Sequence, residues 1–194
     1  MTKASWTAIV LAGQRPGVDK LAAHFGEEYK ALVRLDGEAM LTKVVRTLHQ
    51  VPEIGRIVVA SQTPDVLRDA VEAGGGAQLA ESQGGISTSI NALAGTERAP
   101  WPVFVTTADH PLLTPEMVAE FLAAAGGSDL SVGMVERANM LRHFPSAKRT
   151  WLKFSDEHWS GANLFALTGA RTRAALELWS AAEGRRQLEA EDAE

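Results

Sequence analysis

The sequence contains no cysteine among its 194 residues. Disulfides, thiolate nucleophiles and zinc sites with thiolate ligands are therefore excluded, and the composition is typical of a protein of the reducing cytoplasm. The sequence also lacks an apolar run close to the roughly 20 residues of a membrane-spanning helix, and residues 1–6 lack the profile of a signal peptide. We therefore expect a cytoplasmic protein with no membrane partner.

A strong charge of either sign is missing as well. The net charge of −5 at pH 7 argues against a broad nucleic-acid surface, so no nucleic-acid partner is expected. Because there is no internal repeat, linker or low-complexity tract, the sequence predicts a single domain over residues 1–194. The charged tail at 185–194 is expected to be frayed, and the oligomeric state is left open.

Several common catalytic motifs are also absent. A Walker loop beginning at Gly13 would need Gly and Lys at the positions of Val18 and Asp19. The dinucleotide fingerprint fails because Gln14 is followed by Arg15 instead of glycine. No Gly-x-Ser-x-Gly elbow indicates a serine nucleophile, and the five histidines are too scattered in sequence for a metal role.

The pattern that is present alternates apolar strands with amphipathic helices. Strands are predicted at residues 7–12, 30–35, 56–60, 78–80, 101–108, 129–135 and at the end of 160–167. Helices are predicted from Ala39, after Thr63, up to Leu93, after Thr114 and over 170–182. This alternation predicts an α/β fold of three layers, in which helices flank a mostly parallel, Rossmann-like sheet.

Residues 13–17, Gly-Gln-Arg-Pro-Gly, directly follow the first strand. Such a loop lets the main chain come close to a ligand. Its N–H groups and Arg15 would form a cradle for phosphate oxygens, to which Lys30 adds a compact positive charge. An ordinary strand-to-helix turn with a surface Arg and Lys is the alternative that this stretch alone leaves open.

Asp109 directly follows the predicted strand 101–108. Ligands of open α/β sheets bind beyond the carboxyl ends of the strands, and the breaks at 13–17 and 83–89 lie at such ends too. A carboxylate there is placed to hold Mg²⁺, which takes few protein ligands and completes its shell with water and phosphate oxygens. The alternative is an Asx-turn before Pro111.

A short basic and aromatic cluster indicates where a second substrate would bind. Its cations are Arg142, Arg149 and Lys153, and Trp151 and Phe154 lie near them in the sequence. The cations suit a substrate phosphate, and a ring suits stacking, so this cluster is the predicted acceptor-binding side. A solvated loop is the alternative reading of the same residues.

Leu11-Ala12-Gly13, Arg15 and Lys30 together resemble the signature of nucleotidyltransferases of the molybdenum-cofactor guanylyl/cytidylyltransferase type, which have a GT-A-like fold. Residues 107–113, Thr-Ala-Asp-His-Pro-Leu-Leu, are similar to the Asp-x-Pro-Leu-Leu metal motif of these enzymes. The resemblance covers residues 7–167. It departs from the family where Gln14 replaces the usual second glycine, and in a longer loop from Arg15 to Lys30, which leaves the acceptor open.

The resemblance also implies roles for individual residues. Arg15, Lys30 and Asp109 would be catalytic, and Asp109 and Asn163 would be ligands of Mg²⁺, since an amide oxygen is an acceptable hard ligand. Nucleotide-binding residues would be Leu11, Ala12, Gly13, Gly84, Gly85 and Ser89. A loop Asn that stabilises its own turn and a Ser/Thr helix cap remain the simpler readings of Asn163 and of the segment after Gly85.

The reaction implied by the resemblance is Mg²⁺-dependent transfer of a nucleotidyl group from a nucleoside triphosphate to a small acceptor, with release of pyrophosphate. Two alternatives are kept. A nucleotide-sugar-dependent glycosyltransferase on this scaffold would normally need an Asp-x-Asp pair, which Asp109-His110-Pro111 does not provide. A non-catalytic nucleotide-binding protein would not need Arg15, Lys30, Asp109 and Asn163 together. Because such families usually continue with more helical sequence, the chain is also expected to be a short form.

Overall fold

A seven-stranded sheet forms the centre of the protein. The computed structural model describes residues 5–14, 17–82 and 85–191, with side chains up to residue 182. The strands are β1 (Trp6–Leu11), β4 (Ile54–Ser61), β5 (Gln78–Glu81), β6 (Val103–Thr107), β7 (Leu130–Glu136), β8 (Leu152–Lys153) and β9 (His158–Leu167). A separate hairpin pairs β2 (Arg34–Leu35) with β3 (Glu38–Ala39).

Of the seven described strands of this sheet, six run in one direction and β9 runs in the opposite direction. Its order is β5-β4-β1-β6-β9-β7, and β8 pairs with β9 outside this path. The pairs β5–β4, β4–β1 and β1–β6 are parallel, whereas β9 runs antiparallel to β6, β7 and β8. The prediction of a mostly parallel sheet flanked by helices is confirmed.

Helices cover both faces of the sheet. They are α1 (Lys20–His24), α2 (Met40–His49), α3 (Arg68–Ala73), α4 (Ile86–Leu93), α5 (Pro115–Ala125), α6 (Arg137–His143) and α7 (Arg173–Glu191). Helices α2, α3 and α5 pack on the face that includes Ala8 and Val10, and α4 and α7 pack on the face of Ile9. Alternate residues of β1 therefore enter different cores, which makes the three predicted layers.

The apolar pattern locates most helices correctly. Every apolar residue on the predicted inner face of α2 is buried. Thr114 is the N-cap of α5, and its hydroxyl accepts from the N–H of Met117 at 3.3 Å. Met117 was expected to face the core and is instead 50% exposed. Thr63 makes no side-chain cap, because Pro64–Leu67 forms a 3₁₀ turn before α3 starts.

The predicted strand at 30–35 is wrong in its first half. Lys30–Leu32 forms a 3₁₀ turn, and only Arg34–Leu35 is extended. The N–H of Val33 bonds to the carbonyl of Lys30 at 3.1 Å, so this main chain is satisfied locally instead of by a neighbouring strand. The predicted turn at 36–37 is confirmed, and both of its residues have positive φ.

The region after β7 also differs from expectation. Helix α6 was not predicted, and α7 extends to Glu191, beyond the expected end at residue 182. The segment 160–167 is not a loop followed by a short strand, because it belongs to the ten-residue β9. Among the described helices, none is long and apolar enough to cross a membrane.

The side chain of Phe104 lies in the core between the sheet and α5, so its substitution tests the packing there. It is fully buried and makes an edge-to-face contact with Phe121, with 6.1 Å between the ring centroids. We expect Phe104→Ala to lower the free energy of unfolding by about 3–5 kcal/mol in urea titrations, because a large cavity is left. Phe144→Ala is the control, because Phe144 is 61% exposed, and a change within about 0.5 kcal/mol is expected. Equal losses in the two variants would contradict this packing.

Candidate active site at the carboxyl ends of β1 and β6

The carboxyl end of β1 is aligned with the ends of both its neighbours. The N–H of Ala12 donates to the carbonyl of Ala60 at 2.8 Å, and the N–H of Ala108 donates to the carbonyl of Leu11 at 2.9 Å. Parallel pairing therefore continues to the last residues of β1 and β6. Gly13 and Asp109, which follow these residues, leave the sheet side by side, as the sequence predicted.

Lys30 and Asp109 form an ion pair at this edge. The Nζ atom of Lys30 donates to Oδ2 of Asp109, although the two residues are 79 positions apart in sequence. Their side chains are 37% and 31% exposed, so the pair is within reach of a ligand from solvent. The structure thus brings together two of the three predicted catalytic residues. The third, Arg15, lies outside the described residues.

Asp109 is ionised in this environment. Burial alone would raise its pKa, but hydrogen bonds from Lys30 and Thr107 and the charge of Lys30 together hold the pKa below the ordinary value of 3.8. The neighbouring His110 has a lowered pKa, because burial and the charge of Arg149 outweigh the opposing effect of Asp109. The site therefore presents a carboxylate beside a neutral imidazole near pH 7.

Asn163 lies next to the same strand end, in a bulge of β9. Val132 pairs with Phe165 but Met134 pairs with Gly161, so three residues of β9 face the single Gly133. A Cβ atom on Gly133 would lie 3.0 Å from Cβ of Leu164, so glycine permits this close approach. Asn163 has φ 55° and donates from Nδ2 to Thr107 Oγ1 at 3.3 Å.

The residues at this edge fit a magnesium ion. The carboxylate of Asp109 and the amide of Asn163 both interact with Thr107, and each supplies a hard oxygen donor. Mg²⁺ is typically held by one or two such protein ligands together with water and substrate phosphates. Within the described part of the chain, no group of three or more His, Cys, Asp or Glu residues is placed to hold a metal ion.

The predicted nucleotide-binding residues that the structure describes lie in two places, at the end of β1 and at the start of α4. Leu11 ends β1, and Ala12 and Gly13 continue its main chain toward the site. Gly85 is the N-cap of α4, and Gly84 lies outside the described residues. Ser89 is only 5% exposed and its hydroxyl donates to the carbonyl of Gly85 at 2.9 Å, which fixes the start of α4. Contact of Ser89 with a nucleotide stays a prediction.

Of the three predicted acceptor-binding cations, Arg149 is the one that interacts with residues next to the site. Arg149 donates from Nε to Ser160 Oγ at 2.9 Å and from Nη2 to the carbonyl of Gly161 at 2.8 Å, and its charge acts on His110. Arg142 lies exposed in the last turn of α6, and Lys153 lies exposed in β8. Among described residues, neither of these bonds to Lys30, Asp109 or Asn163.

Sequence reasoning missed the polar residues that connect these parts. The sequence gives Gln14 a main-chain role in the loop at residues 13–17 but none for its side chain, which bonds to the main chain at Glu28 and Lys30. Gln62, which follows β4, accepts from the N–H of Gln14 at 3.1 Å. Thr107 lies between Asn163 and Asp109. Gln62 follows β4 and Thr107 ends β6, the two strands that flank β1, and this position at neighbouring strand ends is the signal that would have found them.

A cavity of about 410 Å³ lies elsewhere, between α4 and α7. Its lining is formed by Ser87, Thr88, Asn91, Leu176, Glu177, Ser180 and Ala181. None of the residues Lys30, Asp109 and Asn163 contributes to it. The charged strand edge, and not this cavity, is therefore the candidate active site.

Comparison with known proteins finds a matching family model and similar solved structures. The family model of the MobA-like NTP transferase domain matches residues 8–194. A hypothetical transferase from Thermus thermophilus is similar at 30% identity with a TM-score of 0.66, over 84% of this chain and 65% of that one. The chain thus spans less than two thirds of the length of that relative. No protein of curated function matches the sequence directly.

Two more distant structures share the fold. The 4-diphosphocytidyl-2C-methyl-D-erythritol synthase of Anaerococcus prevotii has a TM-score of 0.64 at 14% identity, over 92% of this chain and 76% of that one. A CMP:2-keto-3-deoxy-manno-octonic acid synthetase complexed with CTP has a TM-score of 0.62 at 18% identity, over 97% and 86% of the two chains. At these identities the likeness shows the fold alone.

The lowered pKa of Asp109 predicts a pH-dependent contribution to stability. The contribution is present above the unfolded pKa and is lost as the pH falls through the lower folded pKa. We expect the melting temperature of the wild type to exceed that of Asp109→Asn most near pH 7, and the difference to shrink below about pH 4. Thermal unfolding of both proteins, monitored by circular dichroism at pH values from 7 to 3, measures this difference in melting temperature. A difference that stays constant over this pH range would refute the ionised pair.

Proposed function

The chain belongs to the family of MobA-like NTP transferase domains, and on this premise we propose that it transfers a nucleotidyl group from a nucleoside triphosphate to a small, phosphorylated acceptor. The observation that carries the proposal is the ion pair of Lys30 and Asp109 beside the loop that follows β1. A cation for phosphate and a carboxylate for a metal ion are the groups that this transfer needs at one place.

The proposed reaction is a single in-line displacement. An ionised phosphate oxygen of the acceptor attacks the α-phosphorus and forms a new P–O bond, while the bond from that phosphorus to the oxygen bridging to the β-phosphate breaks. Pyrophosphate leaves with the electron pair of that bond. Because the attacking oxygen is already ionised, no general base has to remove a proton, and no covalent enzyme intermediate forms.

The residues of the chain act by positioning and by neutralising charge. Lys30 would exchange its contact with Asp109 for phosphate oxygens, and the main chain at Gly13 would approach the phosphates closely. Arg149, which bonds to β9 and whose charge acts on His110, would hold the acceptor phosphate. Asp109 and Asn163 would hold Mg²⁺, which supplies Lewis-acid stabilisation of charge on the phosphates.

A pyrophosphate-release assay tests the proposed function. The protein is incubated with Mg²⁺, each of the four ribonucleoside triphosphates in turn, and a library of phosphorylated metabolites. We expect release that needs one triphosphate and one acceptor together. A parallel incubation replaces the triphosphates with UDP- and GDP-sugars and measures released nucleoside diphosphate. No pyrophosphate release in any combination would reject nucleotidyl transfer. In that case, release of nucleoside diphosphate would favour the glycosyltransferase and its absence the non-catalytic alternative.

The Asp109→Asn substitution tests the proposed metal ligand. It keeps the size and turn-forming ability of the side chain but removes its charge, so we expect Mg²⁺-dependent turnover to fall by ~10²–10³ or more. Circular dichroism at pH 7 should still show a folded protein. Asp129→Asn is a matched control, because Asp129 pairs with Arg171 away from the site, and its activity should equal that of the wild type. A fully active Asp109→Asn enzyme would refute the metal assignment.

Lys30→Ala tests the proposed phosphate contact. Loss of the point charge should weaken binding of the Mg²⁺–triphosphate complex ~10-fold or more in titration calorimetry. This loss of affinity should be much larger than the loss of stability that comes from breaking the ion pair with Asp109. Lys30→Arg should also bind poorly, because a planar fork does not replace a compact ammonium group. Lys43→Ala on α2 is the control and should bind normally. Unchanged affinity in Lys30→Ala would return this side chain to a surface role.

A further inference from the structure

The side chain of Gln14 bridges the end of β1 and the segment that carries Lys30. Its Oε1 atom accepts from the main-chain N–H of Lys30 at 3.0 Å, and its Nε2 atom donates to the carbonyl of Glu28 at 3.0 Å. One primary amide thus satisfies a donor and an acceptor of the same stretch of main chain. The arrangement resembles the pairing of a peptide group in a strand ladder.

Gln14 is itself held from the other side. Its main-chain N–H donates to Oε1 of Gln62 at 3.1 Å. The side-chain amide of Gln62 also lies close to Gly13, where a Cβ atom would stand 3.0 Å from its oxygen and 3.1 Å from its nitrogen. A contiguous series of contacts therefore runs from the end of β4, through Gln14, to Lys30 and on to Asp109 after β6.

Among the described residues, the main-chain bonds next to Lys30 stay within its own short turn, where the N–H of Leu32 donates to the carbonyl of Tyr29 at 3.0 Å. Ala31 is 6% exposed and Val33 is fully buried, and the N–H of Val33 bonds to the carbonyl of Lys30. Gln14 instead holds the main chain on the amino-terminal side, at the carbonyl of Glu28 and the amide of Lys30. Its loss would release this side without removing an apolar side chain from the core.

We propose that Gln14 is a positioning residue, which fixes the main chain at Lys30 so that its ammonium group is held beside Asp109 and the phosphates. Lysine is a point charge on a flexible four-carbon stem, so its reach is set by where its main chain is held. A pre-positioned cation loses less conformational freedom when the ligand binds. The role in phosphate binding rests on the proposed function, whereas the restraint on the main chain does not.

The restraint is tested without nucleotide, by amide hydrogen exchange of the Lys30 N–H under native conditions. We expect Gln14→Ala to speed this exchange roughly 3- to 10-fold, the factor that one lost hydrogen bond gives. Gln14→Asn should behave in the same way, because its amide is one methylene shorter and does not span both partners. Gln50→Ala is the matched control at an exposed position, and it should leave the exchange unchanged. Unchanged exchange in Gln14→Ala, or full rescue by Gln14→Asn, would overturn the inference.

A double-mutant cycle tests whether Gln14 acts through Lys30. Affinity for the Mg²⁺–triphosphate complex is measured for the wild type, Gln14→Ala, Lys30→Ala and the double variant. We expect Gln14→Ala to weaken binding about 5-fold when Lys30 is present and less than 2-fold when it is absent. Equal factors in the two backgrounds would mean a general structural role and would overturn the inference.

The two tests also separate failure of the inference from failure of the proposed function. If the wild type binds none of the four triphosphates, the proposed function is rejected, and the positioning of Lys30 is then decided by hydrogen exchange alone. If triphosphate binding depends on Lys30 but not on Gln14, the proposed function stands and the positioning role of Gln14 is rejected.

Discussion

Parallel pairing of β1 on both of its edges is the constraint on which the site depends. Buried on both faces, β1 must satisfy its main chain through β4 and β6, and the bonds of Ala12 and Leu11 extend this pairing to the strand end. The chain segments that follow the three strands therefore leave the sheet together. This alignment brings Gln62, Gln14 and Asp109 into one polar edge on an otherwise apolar framework.

The charges at that edge compensate one another. A partly buried carboxylate is costly unless it is paired, and Lys30 pairs with Asp109 from a loop that is distant in sequence. In the proposed function, a triphosphate with Mg²⁺ would offer each partner an alternative of opposite charge: phosphate oxygens for Lys30 and a cation for Asp109.

Much of this architecture was predictable from local sequence patterns. The alternation of strands and helices predicted the layers, and polar breaks after apolar strands predicted that Gly13 and Asp109 would lie at one edge of the sheet. Lys30 was expected to add its charge to the loop at residues 13–17. The reversal of β9 was not predictable, because an apolar run has the same period in a parallel and an antiparallel strand. Asn163 was expected in a loop and lies in a bulge of β9. The contacts of Gln14 were missed because a side chain that binds a distant main chain leaves no periodic signal.

The most direct test of the account is a crystal structure with Mn²⁺ and a triphosphate analogue whose α–β bond is not cleaved. We expect an anomalous manganese peak beside the carboxylate of Asp109 and the amide oxygen of Asn163, with Nζ of Lys30 moved from Asp109 to a phosphate oxygen. The central claim would be contradicted if the nucleotide bound elsewhere, for example in the cavity between α4 and α7, while the pair of Lys30 and Asp109 stayed intact.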